Sequence, residues 1–409
     1  MTGTEPAPKP APSDRLLLGL LAAITAAGPV TMNIYLPALP QVQEYFGISV
    51  AEVNMTVSLA LMAFAIGVFV HGPVSDRFGR RPVILGGQLV FALGNLLCLL
   101  SQSFGMLLTG RVVQAFGTSA GLVVARAMLG DLYGREKMAR MLAYLTMILV
   151  IGPTVSPLVG GLLTEAFGWH ALFALLLGAN ILIIAVIWRF LPETRHQADR
   201  SRGAAAALRN SLAIARQPAF AGFALQSGMI YAIFLTFISI APYVMTALGH
   251  SATEYGLWYL ALAAGYFLGN WVVTRSATKV GLHRLIKTGI RIQFFSAIAG
   301  GGLVLAGFWQ PAALFLPMGV LGFGQGLALP NITASAVALA PRTPGAASSM
   351  LSFWQQTIGA ITVQGMAVFA TDTPVPIYVF MVAASLAAWA SLFMLPRALD
   401  TGGSVPRHD

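Results

Sequence analysis

Apolar runs of roughly twenty residues, each bounded by charge, glycine or proline, recur along the whole chain. They fall at 16–39, 53–70, 83–100, 106–129, 141–163, 171–191, 220–245, 255–273, 285–308, 312–332, 346–370 and 375–395. An α-helix needs about 20 apolar residues to cross a bilayer, and only helices or closed barrels satisfy their backbone there. The pattern predicts an all-α membrane protein with twelve transmembrane helices. The longest polar interruption, 192–218, is rich in Arg and Ala and divides six segments from six. The expected organisation is a disordered tail at 1–14, holding Pro6, Pro8, Pro10 and Pro12, and a six-helix half at 15–191. A cytoplasmic linker at 192–218, a second six-helix half at 219–397 and a tail at 398–409 follow. The first run resembles a signal peptide, but cleavage there would leave five segments against six, so an uncleaved first helix is expected.

Composition agrees with a lipid-facing surface. Of 409 residues, 57% are hydrophobic and 9% charged, against about a quarter charged in a soluble domain. A soluble enzyme is excluded, because so few charges cannot cover its surface. The net charge of +10 would suggest nucleic acid in a soluble protein, so the placement of the cations decides. Lys9 and Arg15 precede segment 1, and basic residues follow segments 2, 4, 6, 8, 10 and 12, whereas the six alternate loops contain no Lys or Arg. Short cytoplasmic loops retain positive charge, so the charge is topology, both termini are expected to be cytoplasmic, and no nucleic-acid partner is needed. The single cysteine, Cys98, allows no intrachain disulfide, and six histidines without ligand spacing offer no metal site. No cofactor motif is present. Without a phosphate-binding loop, ATP-driven transport would require another subunit.

A faint internal repeat matches the six-plus-six division. The basic turn at 279–284 echoes that at 77–81, with Gly79 and Gly281 lying 202 positions apart. Pro37 and Pro242 are 205 apart, and Gly152 and Gly359 are 207 apart. Near-equal offsets in register with the topology suggest two pseudo-symmetric halves with a site between them.

Four stretches carry candidate chemistry. The turn after segment 2 reads G-P-V-S-D-R-F-G-R-R-P over 72–82. Gly72 and Gly79 allow a tight turn, Asp76 can cap a helix or pair with arginine, and Arg77, Arg80 and Arg81 suit headgroups or acidic partners. A plain positive-inside turn would account for the arginines but for neither the acid nor the glycines. In segment 4, Arg111, Gln114 and Thr118 share one helical face. Arg111 is the only Lys or Arg on the outer half, about 8 Å into the apolar layer. A guanidinium left in lipid costs about 2.5–3.5 kcal/mol, so Arg111 is expected to face a polar cavity, with snorkelling to the outer headgroups as the alternative. Segment 5 contains Gly152, Pro153, Pro157, Gly160 and Gly161, which combine close helix contact with bending. Segments 7, 8, 10 and 11 offer Gln226, Tyr231, Phe234, Phe237, Tyr266, Gln325, Asn331, Trp354, Gln355 and Gln356, a set that suits a broad pocket for flat solutes and equally suits helix packing.

The 72–82 turn resembles the loop signature of the major facilitator superfamily, and Arg111 with Gln114 and Gly117 is similar to that family's segment 4 motif. The segment 5 pattern resembles the one marking its antiporter branch. Asn33, Tyr35, Pro37 and Pro40 ending segment 1, with Arg126 and Asp131 closing segment 4, resemble the bicyclomycin and chloramphenicol resistance (Bcr/CflA) branch. The resemblance implies the major facilitator fold and a monomeric drug/proton antiporter of the bacterial inner membrane, exporting small amphipathic molecules by alternating access. It implies an N-terminal wall of Asn33, Tyr35, Arg111, Gln114 and Thr118 facing Tyr231, Phe234, Trp354 and Gln355. It also implies a latch between the halves formed by Gly72, Asp76, Arg77, Gly79, Arg80 and Arg81 with Arg126 and Asp131.

One departure matters. Many members of the branch have Asp where this chain has Asn33, and Asn does not titrate. All fourteen acids lie at segment ends, loops or tails. The remaining proton candidates are Asp76, Asp131, Glu44, Glu165 and His71. An uncoupled facilitator or importer is therefore the alternative. A polytopic enzyme would need clustered His, Asp or Glu near one interface, and a channel would need a charged ring or a filter loop.

Overall fold

The computed structural model describes residues 14–133, 135–194, 213–340, 343–369 and 374–394. The expected tails, apart from residue 14, and most of the expected linker lie outside the described residues. Among the described residues there is no strand. The helices are α1 (Asp14–Tyr35), α2 (Leu39–Phe46), α3 (Val50–Phe78), α4 (Arg80–Leu99), α5 (Phe104–Leu132), α6 (Arg135–Phe167) and α7 (His170–Phe190). They continue as α8 (Pro218–Ala247), α9 (Ala252–Val280), α10 (Leu282–Leu305), α11 (Pro311–Ala338), α12 (Pro344–Val368) and α13 (Val375–Ala390).

Ten spans, with α1 and α2 joined as one, are long and apolar enough to cross a membrane among the described residues. Helices α6, of 33 residues, and α12, of 25, coincide with the fifth and eleventh predicted segments.

Helix ends follow local chemistry. Ser49 and Glu52 form a reciprocal capping box at the start of α3, and the Ser103 hydroxyl accepts the Met106 amide at the start of α5. Pro37 and Pro40 sit where α1 gives way to a single 3-10 turn and then to α2. The stretch expected as a turn at 72–82 is instead helical almost throughout. Gly72 and Pro73 lie inside α3, and only Gly79, with φ 100° and ψ 159°, stands between α3 and α4. The apolar run ends near Val70, but nothing breaks the backbone until a residue reaches a φ that only glycine takes readily.

Helix pairing repeats itself six spans later. In the first set α4 and α3 pack on α5, α1 packs on α6 and α5, and α7 packs on α4. In the second set α10 and α9 pack on α11, α8 packs on α12 and α11, and α13 packs on α10. The two sets meet through α3 with α12 and α6 with α9. At the end marked by α2, one apolar core draws on both sets, joining Leu39, Val57 and Trp169 to Val244, Tyr255 and Phe315. At the Gly79 end, Leu21, Ile84 and Met128 form one core and Phe223, Ile286 and Met350 another. The protein is thus closed at the α2 end. Cys98 is buried where α4 meets α5.

Candidate functional site

Arg111 is 1% exposed, deep between helices rather than reaching for headgroups. Its guanidinium donates to the Gln114 carbonyl one turn away. Gln114 donates onward to Asn95 of α4 at 2.7 Å, and Asn95 donates to the Phe91 carbonyl at 2.9 Å. The other face of the guanidinium stands 4.4 Å from the centroid of the Tyr35 ring, and Nη2 lies 3.6 Å from the Met32 sulfur. No carboxylate pairs with Arg111 among the described residues, and its Nε has no partner. A buried guanidinium with soft, neutral neighbours keeps a donor for an incoming acceptor. Thr118, one turn beyond Gln114, instead returns its hydroxyl to the Ala115 carbonyl and lies near Gly28 of α1.

Asn33 lies between the two sets of helices. Its amide donates to the Pro29 carbonyl at 2.8 Å, and its carbonyl accepts the Tyr259 hydroxyl of α9 at 2.9 Å. Two further polar ties join the sets at the same end. Gln364 of α12 accepts from Ser58 at 2.8 Å and donates to the Ala51 carbonyl at 3.0 Å. Glu165 at the end of α6 accepts the Thr253 amide at 2.7 Å and the Thr253 hydroxyl at 2.6 Å, capping α9. Beside this tie lies a cavity of about 830 Å³ lined by Gln41, Glu44, Glu165, Tyr243 and His250 among others.

Tyr231 and Phe234 of α8 are half-buried, with ring centroids 6.1 Å apart. Gln355 is half-buried on α12. Trp354 is 40% exposed and shares its helical face with Ile361 and Val368, which are also exposed. The structure therefore leaves Trp354 exposed on α12.

At the Gly79 end the residues expected as a latch divide. Arg80 is buried and pairs with Asp76 at 2.8 Å and Asp131 at 3.0 Å, and donates to Ser75 at 2.6 Å. The Glu193 carboxylate, after α7, accepts the Arg80 and Arg81 amides at 2.9 and 3.2 Å and so caps α4. Arg81 reaches the Trp188 carbonyl at 2.7 Å, whereas Arg77 lies exposed near Phe78. Arg126 is exposed on α5 and makes no ion pair among the described residues. The cluster binds α3, α4, α5 and the end of α7 to one another. A Cβ on Gly72 would make only ordinary contact with Val123, so that glycine is not needed for close approach. His71 is buried, with Nδ1 2.9 Å from the Ser119 hydroxyl.

The α6 glycines form a bare surface. A Cβ on Gly152 would press on Val30 at 2.9 Å, one on Gly160 on Pro37 at 3.1 Å, and one on Gly161 on Thr253 Cα at 2.8 Å. From the other helix, a Cβ on Gly256 would lie 2.8 Å from the Pro157 carbonyl. Helix α6 continues through Pro153 and Pro157. Asn95, Tyr259, Gln364 and Glu193 were not singled out as site residues in the sequence. Each is an isolated polar residue whose partner lies far along the chain.

The Major Facilitator Superfamily model matches residues 21–363. A bicyclomycin resistance protein homolog of Haemophilus influenzae is 26% identical over 400 residues, covering 95% of this chain and 97% of the relative. The chloramphenicol resistance protein of Pseudomonas aeruginosa is 37% identical over 179 residues, 44% of this chain and 43% of that one. Among solved structures, a D-xylose-proton symporter aligns with TM-score 0.76 at 14% identity, covering 96% of this chain and 99% of its own. A bacterial homolog of the human lysosomal transporter Spinster, inward-facing and occupied, aligns with TM-score 0.72 at 17% identity over 95% of this chain and 97% of its own. The chain belongs to the major facilitator superfamily and is a multi-pass membrane transporter of small molecules, not an enzyme.

Proposed function

We propose that this transporter exports small amphipathic molecules, neutral or anionic, across the bacterial inner membrane. The reading takes twelve spans, both termini cytoplasmic, and two six-helix halves at 15–191 and 219–397 that rock about a central site as a monomer. The Gly79 end is then the cytoplasmic one, and the helix packing corresponds to a state closed outside. The observation that carries the substrate class is Arg111, buried, without a carboxylate partner among the described residues and with Nε unsatisfied. An acceptor or anion meeting it recovers a charge-assisted hydrogen bond, whereas a cation would find no counter-charge. Tyr35, Gln114 and Asn33 line the same wall, with Tyr231, Phe234 and Gln355 opposite. The resistance proteins named above support drug-like substrates.

The test is retention of neutral, anionic and cationic antibiotics in efflux-deficient bacteria expressing the chain, before and after a protonophore. The expected result is reduced retention of neutral and anionic compounds, abolished by the protonophore and by Arg111→Ala in protein shown to be in the membrane. Preferential export of cations would refute the substrate class. Asn33 favours one second reading, an uncoupled facilitator or importer, in which retention of every compound in the panel is unchanged.

A further inference from the structure

The topology counted from loops passes over two cations inside a predicted span, Lys287 and Arg291. They stand on α10 with Arg284 at spacings of three and four residues, which puts all three along one side of the helix. Arg284 and Arg291 are exposed, as are Thr288 and Phe295 beside them. Arg291 lies nine residues into α10, about 13 Å from its start. No carboxylate pairs with Arg284 or Arg291 among the described residues. The Arg291 contact of note is the Trp389 ring, 5.9 Å away. An anion would supply the counter-charge that Arg284 and Arg291 lack among the described residues.

A groove continues from these cations along the lipid-facing side. It is a cavity of about 790 Å³ between α10 and α11, containing Arg291 and Thr288 and then walled by Phe295, Ala299, Leu303 and Leu316. Small side chains at Ala299, Ala312 and Ala313 leave the depression that the larger ones border. A charged head at one end and an apolar trough beyond it match one molecule with an anionic head and a long hydrocarbon tail.

We propose that this groove binds an anionic phospholipid of the bilayer, its phosphate held by Arg291 with Lys287 and Arg284, and one acyl chain laid past Phe295 and Ala299. The orientation in Proposed function makes this an inner-leaflet lipid. Arg284 and Arg291 then need no protein carboxylate, because the lipid supplies the counter-charge where a guanidinium would otherwise face hydrocarbon.

The test is native mass spectrometry of the purified full chain in detergent with equimolar phosphatidylglycerol and phosphatidylcholine. The wild type is expected to retain phosphatidylglycerol preferentially. Arg291→Ala should lower that retention about tenfold, the scale of one charge-assisted hydrogen bond. Ala299→Trp, which fills the trough and leaves the cations in place, should lower it as well. Arg275→Ala, at an exposed arginine stacked on Trp271 outside the groove, should not. Equal retention of both lipids, or retention unaffected by Ala299→Trp, would overturn the proposal. So would displacement of the lipid by inorganic phosphate alone, or Arg291→Ala altering export with lipid retention intact, since each assigns the groove to another ligand. The readout is bound lipid, so it stands apart from the antibiotic assay that tests the transported substrate.

Discussion

The Tyr259 hydroxyl donates a 2.9 Å hydrogen bond to the Asn33 carbonyl, joining α9 of one helix set to α1 of the other. The bond is intact in the state closed at the α2 end. Tyr259→Phe removes one neutral hydrogen bond, worth about 1 kcal/mol, and should shift the balance towards opening that end about fivefold. Cysteines placed at Gln43 and His250, on the rim of the outer cavity, report this through cross-linking yield. An unchanged yield would release Tyr259 from the role. Asn33→Asp is expected to change the pH profile of export, since the variant places a titratable carboxyl against that phenol.

Arg111→Lys keeps the charge and loses the planar fork that holds Gln114 while its face lies on Tyr35. Export of anionic substrates should fall about tenfold, one charge-assisted contact, while neutral substrates lose less. Uptake into inverted vesicles with labelled compounds separates the two. Equal losses for both would make Arg111 a packing residue.

Of the groups considered for proton coupling, His71 is the buried one. His71→Gln can preserve a hydrogen bond to Ser119 but cannot titrate near neutral pH. The expected outcome is export whose rate no longer varies between pH 6 and 8, with substrate binding retained. A pH profile matching the wild type would move the coupling to another group.

Gly79→Ala places a side chain at φ 100°, with its Cβ 2.5 Å from the nearer Glu193 oxygen. Backbone of this kind, positive φ with extended ψ, costs about 1–3 kcal/mol for a residue with a side chain, before the crowding of the carboxylate that caps α4. A lower thermal midpoint in detergent is expected. No change would mean that the turn relaxes and Glu193 gives way.

The spans were legible in the sequence because apolar length is a one-dimensional property, and every long helix falls on a predicted hydrophobic run, whereas the short α2 lies between the first two. Helix ends were less so. Hydropathy stops where lipid stops, at Val70, whereas α3 stops where the backbone turns, at Gly79. Arg111 and Gln114 were legible because they share a helical face. Asn95 and Tyr259 were not, because each partner is brought close by packing that no local pattern encodes. The same limit hid Glu193, an acid at a segment end that proves to cap a helix more than a hundred positions earlier. Lys287 and Arg291 escaped notice for another reason, since cations counted by loop leave those within a span unseen.

In the crossing of α6 and α9, Gly161 lies on the backbone of Ala252 and Thr253, and Gly256 lies on the backbone of Pro157 and Leu158. Helices that interlock through branched side chains must lift one set of knobs out of the other's holes before they can turn. These two have no teeth at their point of contact, so relative rotation needs no exchange of rotamers there. The joint behaves as a smooth bearing, and the resistance to motion falls on the polar ties at its edge, Glu165 with Thr253 and Tyr259 with Asn33.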